Sequence, residues 1–250
     1  MDNQTASIPL MLKQLRLATM AQSWGMLGKK AVKEQWSPQQ YLSELCHIEL
    51  SSREDKRLQR LLKDAKLPTG KSLNNFDFDA VEGVTRPQVY GLINQADWLK
   101  RGANILLFGA SGLGKTHIAS SIGYGLVEQG HRVKFVAALA LVQQLQLAKQ
   151  HFKLQDELIK LDKYSLLIVD DVGYVRKTEQ ETSVVFELIA HRYERHSLII
   201  TSNKSFEDWD ELFDDTTMTI AAIDRLVHHA TIIHCEGESY RRKAAMQNIK

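Results

Sequence analysis

The chain has 250 residues, of which 44% are hydrophobic and 25% are charged, and its formal net charge is +2. This is the composition of an ordinary globular protein, and it excludes a disordered, collagenous or disulfide-rich chain. No apolar run approaches the roughly 20 residues that cross a bilayer, and the first residues lack a signal-peptide pattern. We therefore expect a cytoplasmic protein with no membrane partner. Cys46 and Cys235 are expected to be packing residues, not a disulfide or a metal site.

The front of the chain is predicted to form a small all-helical domain. It is basic, because residues 1–66 carry 11 Lys and Arg against 7 Asp and Glu, whereas residues 67–250 carry 21 against 23. Apolar spacing predicts one helix over residues 8–27 and another from Ser37-Pro38 to about Lys66. A Pro- and Gly-containing linker follows, so we expect the helical domain, for docking DNA or a partner, to span residues 1–68.

Basic side chains line one face of the second predicted helix, among them Arg53, Lys56, Arg57 and Arg60. One interpretation is that this basic ribbon follows a phosphate backbone. The other is that it is an ordinary solvated helix face, tempered by the neighbouring acidic residues. The sequence alone leaves both open.

Two aromatic residues, Phe76 and Phe78, follow the linker. They are either wall residues for a nucleotide base or plain core residues, and core is the commoner role of such a pair. A helix is predicted next, over about residues 86–100.

The most informative stretch is a strand followed by a glycine-rich loop and a helix. Ile105 to Phe108 is a continuous apolar run, typical of a buried parallel strand. The loop after it spells G-x-x-x-x-G-K-T and consists of Gly109, Ala110, Ser111, Gly112, Leu113, Gly114, Lys115 and Thr116. Its backbone N–H groups and the Lys115 ammonium suit a polyphosphate, and the Thr116 hydroxyl suits Mg²⁺. The stretch predicts binding of a nucleoside triphosphate.

Strands and helices alternate through the rest of the chain. Strands are predicted at residues 132–137, 165–169, 197–201 and 231–235, and helical patterns at about 138–161, 179–196, 205–213 and 217–229. Together with the strand before the loop, they predict an α/β fold, a five-stranded parallel sheet with helices on both faces, in a domain of residues 69–250.

Polar residues follow two of these strands, at the sheet edge where ligands bind in such folds. Asp170 is a candidate for holding Mg²⁺ beside Thr116. Asp171 is a candidate for orienting or deprotonating the attacking water, and Asn203 for hydrogen-bonding that water or the γ-phosphate. A loop start and a turn-forming asparagine are the alternative interpretations.

Several runs of sequence together carry a family resemblance. They are the glycine-rich loop, Leu-Leu-Ile-Val-Asp-Asp-Val-Gly-Tyr at 166–174, Thr-Ser-Asn at 201–203, Asp-Arg-Leu-Val-His-His at 224–229 and Gly-Glu-Ser-Tyr-Arg at 237–241. Over most of its length the chain resembles the AAA+ ATPases of the DnaC-like helicase-loader clade. Within that clade it is most similar to the IstB-like transposition helpers.

The resemblance implies an AAA+ domain that uses ATP and Mg²⁺ and forms a homo-oligomer on duplex DNA, with an IstA-like transposase as partner. It implies that Arg225 reaches the γ-phosphate of a neighbouring subunit and that Arg241 acts as a sensor within its own subunit. It also implies a DNA-facing zone around Lys149 and Lys153. Many relatives have Asp-Glu where this chain has Asp170-Asp171. Because the shorter carboxylate lies farther from the water, we expect slow hydrolysis, with ATP acting as an assembly switch.

Three functions follow from these patterns. The first is an ATP-dependent assembly factor of transposition that binds DNA largely without sequence specificity. The second is a replicative helicase loader with the same ATPase domain. The third, a small-molecule P-loop kinase, leaves the basic front domain and Arg225 unused.

Overall fold

In the computed structural model the described residues are 3–173, 178–205, 208–209 and 216–240. The chain forms two compact units, residues 1–60 and 61–250. Among the described residues, no helix combines the length and the apolar character that spanning a bilayer requires.

The first unit is helical. It contains α1 (Asn3–Gln14), α2 (Ala18–Lys33) and most of α3 (Pro38–Ala65). The prediction of a single helix over residues 8–27 is wrong, because α1 ends where Arg16 takes a left-handed backbone with φ of 59°. The N–H groups of Arg16 and Leu17 donate to the last carbonyls of α1, at 2.9 and 2.8 Å. These bonds close the helix in the way that a glycine in the left-handed conformation usually does. Leu15, just before this turn, is 68% exposed.

The start of α3 is confirmed at Ser37-Pro38. The Ser37 hydroxyl accepts from the Gln40 N–H at 3.2 Å, and the Ser37 N–H donates to the Gln40 side chain at 2.9 Å. The two bonds form a capping box, which satisfies N–H groups that a helix start leaves unpaired.

Glu49 joins α3 to α2 within this unit. Its buried carboxylate accepts from the N–H groups of Thr19 and Met20, at 2.8 and 3.0 Å, and from the Arg53 side chain at 2.9 Å. Burial acts to raise the pKa of Glu49, but the Met20 N–H, Arg53 and the Thr19 N–H together hold that pKa below its usual value. Arg53 also donates to the Arg16 carbonyl at 2.7 Å. These contacts give Arg53 a structural role.

The second unit is a parallel α/β layer structure. Its strands are β1 (Asn104–Phe108), β2 (Val133–Ala137), β3 (Leu166–Asp170), β4 (Ser197–Ser202) and β5 (Ala230–His234). Its helices are the 3₁₀ turn η1 (Leu73–Asn75), α4 (Arg86–Asn94), α5 (Asp97–Lys100), α6 (Lys115–Glu128), α7 (Ala138–Gln150), α8 (Leu154–Leu161), α9 (Glu179–Arg192) and α10 (Thr216–Val227). The predicted helix over 205–213 lies mostly outside the described residues.

The five strands form one sheet in the order β2-β3-β4-β1-β5, with every described pairing parallel. β1, β3 and β4 are buried along their whole lengths, which explains their continuous apolar sequences. Because all strands run the same way, the residues after Phe108, Asp170 and Ser202 emerge at one edge. The predicted five-stranded α/β fold is confirmed.

Two long predicted helices are each broken into a pair. The helix predicted over 86–100 is α4 and α5, and the zone 138–161 is α7 and α8. Between α7 and α8, Phe152 has a left-handed φ of 56° and is 98% exposed. Phenylalanine carries no turn signal, so the sequence pattern did not reveal this break.

The last turn of α9 is anchored by the fully buried Arg192. Its guanidinium donates to the carbonyls of Leu161, Tyr164 and Ser197 at 3.0–3.2 Å. Burial lowers the pKa of Arg192 to about 10, and the charge of Asp162 opposes that shift. α9 ends here, before the predicted residue 196, because Tyr193 leaves the helical conformation with φ of −52° and ψ of 127°.

A buried asparagine links β1 to the elements beside it. The Asn104 side chain accepts from the Leu198 N–H at 2.9 Å and donates to the Leu226 carbonyl at 3.1 Å. Its own N–H donates to the His229 carbonyl at 3.1 Å. Asn104 therefore holds the start of β4 and the end of α10 against the same strand.

We expect Asn104→Ala to lower the free energy of unfolding by about 2–4 kcal/mol, because it leaves a buried N–H and a buried carbonyl without their partner. Chemical denaturation measures the change. Asn74→Ala, at an exposed position, is the matched control and should change stability by less than about 0.5 kcal/mol. Equal effects of the two substitutions would contradict the structural role of Asn104.

Candidate functional site

The loop between β1 and α6 has a shape that only glycine allows at three positions. Gly109, Gly112 and Gly114 have φ values of 139°, 90° and 79°. A Cβ atom at these residues would lie 2.2 Å from the Cys235 carbonyl oxygen, 2.1 Å from the Ser239 hydroxyl and 2.6 Å from the Phe76 ring, respectively. Both conformation and space therefore exclude side chains here.

Lys115 is the first residue of α6, and its side chain turns back into the loop. Its ammonium donates to the Gly109 and Ala110 carbonyls at 2.7 and 2.9 Å. Only 5% of the residue is exposed. A positive charge therefore lies within the curve of the loop, beside the N–H groups that begin α6. This combination suits an anion such as a polyphosphate.

The loop forms one side of a cavity of about 260 Å³. Six of the eight predicted loop residues line it, from Ser111 to Thr116, and Asp171 lines it too. Gly109 and Ala110 are not among the lining residues, and their carbonyls accept from the Lys115 ammonium. A cavity of this size approaches the range of small-molecule sites.

Phe76 lines the cavity beside Gly114. It is buried, and its ring meets those of Phe78 and His117 edge-to-face at centroid distances of 4.7 and 5.1 Å. His117 Nε2 in turn lies 2.8 Å from the Ser72 carbonyl oxygen. Phe76 is thus a core residue and a cavity wall at once, so the two interpretations of this pair are not exclusive.

The hydroxyl of Thr201 joins the two aspartates at the edge of the sheet. It donates to Asp170 Oδ1 at 2.7 Å and accepts from the Asp171 N–H at 2.8 Å. Asp170 is buried, whereas Asp171 has a left-handed φ of 62° and an exposed side chain at the cavity. The turn therefore points the two carboxylates to different surroundings.

Asn203 lies just beyond the end of β4. Its Oδ1 is buried and has no hydrogen-bond partner among the described residues. Gly173 approaches it closely, since a Cβ there would be 2.4 Å from that oxygen. A buried acceptor of this kind can accept a hydrogen bond from a water or another donor.

The residues present fit a magnesium–nucleotide complex. The loop offers backbone N–H groups and an ammonium for phosphates, and the Thr116 hydroxyl and the Asp170 carboxylate are oxygen donors of the type that Mg²⁺ prefers. The Asn203 acceptor and the Asp171 carboxylate add polar groups at the same edge of the sheet.

Of the two candidate arginines, Arg225 lies among the described residues and Arg241 does not. Arg225 is on α10, outside the set of cavity residues, with its guanidinium 5.3 Å from the centre of the Phe186 ring and bonded to the Ala221 carbonyl at 2.9 Å. Arg241 lies outside the described residues.

The candidate DNA contacts are in varied surroundings. Arg57 pairs with Glu54 at 3.3 Å, and Arg60 donates to the Lys56 carbonyl at 3.1 Å. Lys149 pairs with Glu187 and Ser183, both at 2.7 Å, and so ties α7 to α9. Lys153 is exposed beside Phe152 at the α7–α8 turn.

Seven cavity residues were not expected from the sequence, namely Lys71, Asn75, Asp77, Ala80, Val81, His117 and Tyr240. The Tyr240 N–H donates to the Gly112 carbonyl at 3.1 Å, so the segment after β5 closes over the loop. The Ser-Tyr run at 239–240 was noted only as part of the family resemblance. No pattern in the sequence pointed to the other six residues.

Both cysteines are free thiols. Cys235 is buried behind Gly109, and its N–H donates to the Phe108 carbonyl at 2.8 Å. Burial raises the pKa of its thiol to about 11, against the opposing charge of Lys115. The expectation of a packing residue is confirmed for Cys235 and wrong for Cys46, which is exposed.

The sheet order, the glycine loop before α6 and the aspartates after β3 define a P-loop nucleotide-binding protein of the AAA+ class. Comparison with known sequences identifies the family within this class. The chain belongs to the IstB-like ATP binding protein family, which it matches over residues 10–248.

Named relatives cover nearly the whole chain. An insertion sequence ATP-binding protein of Sinorhizobium fredii is 48% identical, over 97% of this chain and 81% of its own. The insertion sequence IS21 ATP-binding protein of Pseudomonas aeruginosa is 36% identical, over 94% of this chain and 89% of its own.

Solved structures share the fold at low identity. The DnaC helicase loader has a TM-score of 0.54 at 18% identity, over 67% of this chain and 98% of its own. AMPPCP-bound DnaA from Aquifex aeolicus has a TM-score of 0.56 at 19% identity, over 74% and 56%.

We expect Phe76→Leu to weaken ATP binding roughly 3- to 10-fold, because an aromatic contact contributes about 0.5–1.5 kcal/mol beyond the area it buries. Titration with a fluorescent ATP analogue measures the affinity. Phe152→Leu is the matched control, since Phe152 is 98% exposed and lies outside the set of residues that line this cavity. If both variants bound ATP like the unaltered chain, Phe76 would be a core residue only.

Proposed function

We propose that this chain is an ATP-dependent assembly factor of DNA transposition. ATP causes it to oligomerise on duplex DNA, largely without sequence specificity, and the assembly recruits and stimulates an IstA-like transposase. The main support is the cavity in which the glycine loop, Lys115 and Asp171 meet, in a chain whose relatives are named as insertion sequence ATP-binding proteins.

The nucleotide acts as the switch in this proposal. Thr116 and Asp170 would hold Mg²⁺, which would neutralise charge on the phosphates. Asp171 would orient or deprotonate the attacking water, and Asn203 would hydrogen-bond that water or the γ-phosphate. The short Asp171 side chain on a fixed left-handed turn supports slow hydrolysis. Turnover without DNA or partner should stay below the enzyme median of about 10 s⁻¹.

The interface between subunits is completed by arginine. Arg225 lies outside the set of residues that line the cavity of its own chain, which supports a role at the γ-phosphate of a neighbour. A guanidinium is permanently charged and binds phosphate oxygens in a fork, so it suits this task. Arg241 is proposed as the sensor within the subunit.

DNA contacts are assigned to residues 1–68 and to the α7–α8 turn. Lys56, Arg57 and Arg60 are the proposed phosphate contacts, because Arg53 is already bound to Glu49 and to the Arg16 carbonyl. At the turn, the exposed Lys153 offers a charge for a phosphate, and the exposed Phe152 offers an apolar ring that could wedge between base steps of the duplex. Lys149 supports that turn through Glu187 and is the weaker candidate.

The relatives favour transposition over the two other interpretations. They are named for insertion sequences, whereas the likeness to the DnaC helicase loader is one of fold. A small-molecule kinase would leave Arg225 unused. Capture of the transposase in preference to the replicative helicase, in a pull-down with purified partners, tests the choice directly.

We expect large particles when ATP and duplex DNA are both present, and expect Lys115→Ala to abolish them, because it removes the phosphate-binding cation. Light scattering with and without each ligand measures particle size. Lys100→Ala, at an exposed lysine paired with Asp97, is the control and should assemble normally. Unchanged assembly of the Lys115→Ala chain on DNA would make the nucleotide incidental.

We expect Lys56→Glu with Arg60→Glu to weaken DNA binding. The slope of the logarithm of the association constant against the logarithm of the salt concentration should fall in magnitude by about 1.8, since each phosphate contact contributes about 0.9. The control is Lys29→Glu with Lys33→Glu, an equal change of charge at exposed residues of α2. Fluorescence anisotropy over a salt series measures both quantities. Equal slopes for the two double variants would show that the ribbon is only a solvated face.

A further inference from the structure

Two turns meet at the amino ends of the strands, opposite the nucleotide cavity. One joins α9 to β4 and carries Glu194, and the other joins α10 to β5 and carries His228 and His229. We propose that these three residues form a binding site for Zn²⁺.

The donor atoms are already close together. One oxygen or nitrogen from each of the three residues lies within 4.8 Å of the others. Glu194 Oε1 and His229 Nε2 are 3.6 Å apart. Bonds of about 2.0–2.1 Å in a tetrahedral zinc site put two ligand atoms about 3.3 Å apart. Small side-chain rotations would therefore bring all three onto one ion.

The carboxylate is held on a constrained turn. Glu194 has a left-handed φ of 56°, a conformation that costs a non-glycine residue about 1 kcal/mol or more. The turn is closed by N–H groups of Arg195 and His196 that donate to the Arg192 carbonyl at 3.0 and 2.9 Å. Gly102 packs beneath it, where a Cβ would lie 2.8 Å from the Glu194 carbonyl carbon.

The imidazoles are fixed by independent contacts. His228 Nδ1 lies 2.6 Å from the Tyr193 hydroxyl, and the two rings stack at a centroid distance of 6.0 Å. The rings of His228 and His229 are 4.0 Å apart. Beneath them, Asn104 binds the carbonyls of Leu226 and His229 and the N–H of Leu198. One buried residue therefore holds both turns in register.

The donor set indicates which ion would bind. Two imidazoles and one carboxylate are a ligand set that zinc accepts, whereas Mg²⁺ prefers oxygen donors alone. The three residues are exposed, so a water molecule has access to the fourth position. The proposed ion is thus chemically and spatially separate from the magnesium at the nucleotide.

We expect the full chain, prepared without a histidine tag, to bind one Zn²⁺ per molecule. Isothermal titration calorimetry in a chelator-free buffer measures stoichiometry and affinity, and the visible absorption of added Co²⁺ reports tetrahedral nitrogen and oxygen ligands. His229→Ala and Glu194→Gln should each weaken binding by at least about 10-fold, a loss that even outer-shell changes at metal sites produce.

Three further variants separate this site from other donors. His151→Ala, at the exposed α7–α8 turn, and Cys46→Ser should bind Zn²⁺ like the unaltered chain, and so should Lys115→Ala. Circular dichroism confirms that each variant is folded. The proposal is overturned if the unaltered chain binds no Zn²⁺, if Glu194→Gln and His229→Ala leave the affinity unchanged, or if Cys46→Ser abolishes binding.

Discussion

The nucleotide site depends on how closely other parts of the chain approach three glycines. Cys235, Ser239 and Phe76 come from distant positions, yet each lies where a side chain on the loop would have to be. The loop is thus shaped from outside as well as by its own flexibility. Phe76 also lines the cavity, and Ser239 lies next to Tyr240, whose N–H donates to the Gly112 carbonyl. The loop, the cavity and the segment after β5 are therefore packed together.

A threonine hydroxyl gives two adjacent carboxylates different surroundings. Thr201 binds the side chain of Asp170 and the backbone of Asp171, so one acid stays buried at the strand end and the other turns to the cavity. The two side chains are chemically identical, yet the fold gives them different surroundings. Environment, more than residue type, sets which role each acid can take.

Much of the second unit could be predicted because its signals are local. The apolar runs of β1, β3 and β4 and the glycine pattern after β1 identify the sheet and the loop without tertiary information. The breaks at Arg16 and Phe152 could not be predicted, because a left-handed backbone at arginine or phenylalanine has no local signal in the sequence. Phe76 reaches the loop through the tertiary fold, so the sequence could offer a wall residue or a core residue but could not show that it is both. The same holds for Arg53, whose partner Glu49 is buried only in the folded unit.

The burial of Cys235 has a practical consequence. A thiol with a pKa of about 11 is almost entirely protonated at neutral pH, and the thiolate is the form that attacks alkylating reagents. Maleimide dyes should therefore react at the exposed Cys46 and leave the thiol behind the phosphate loop untouched. The natural chain can carry a single fluorophore in its helical front unit without any engineered cysteine.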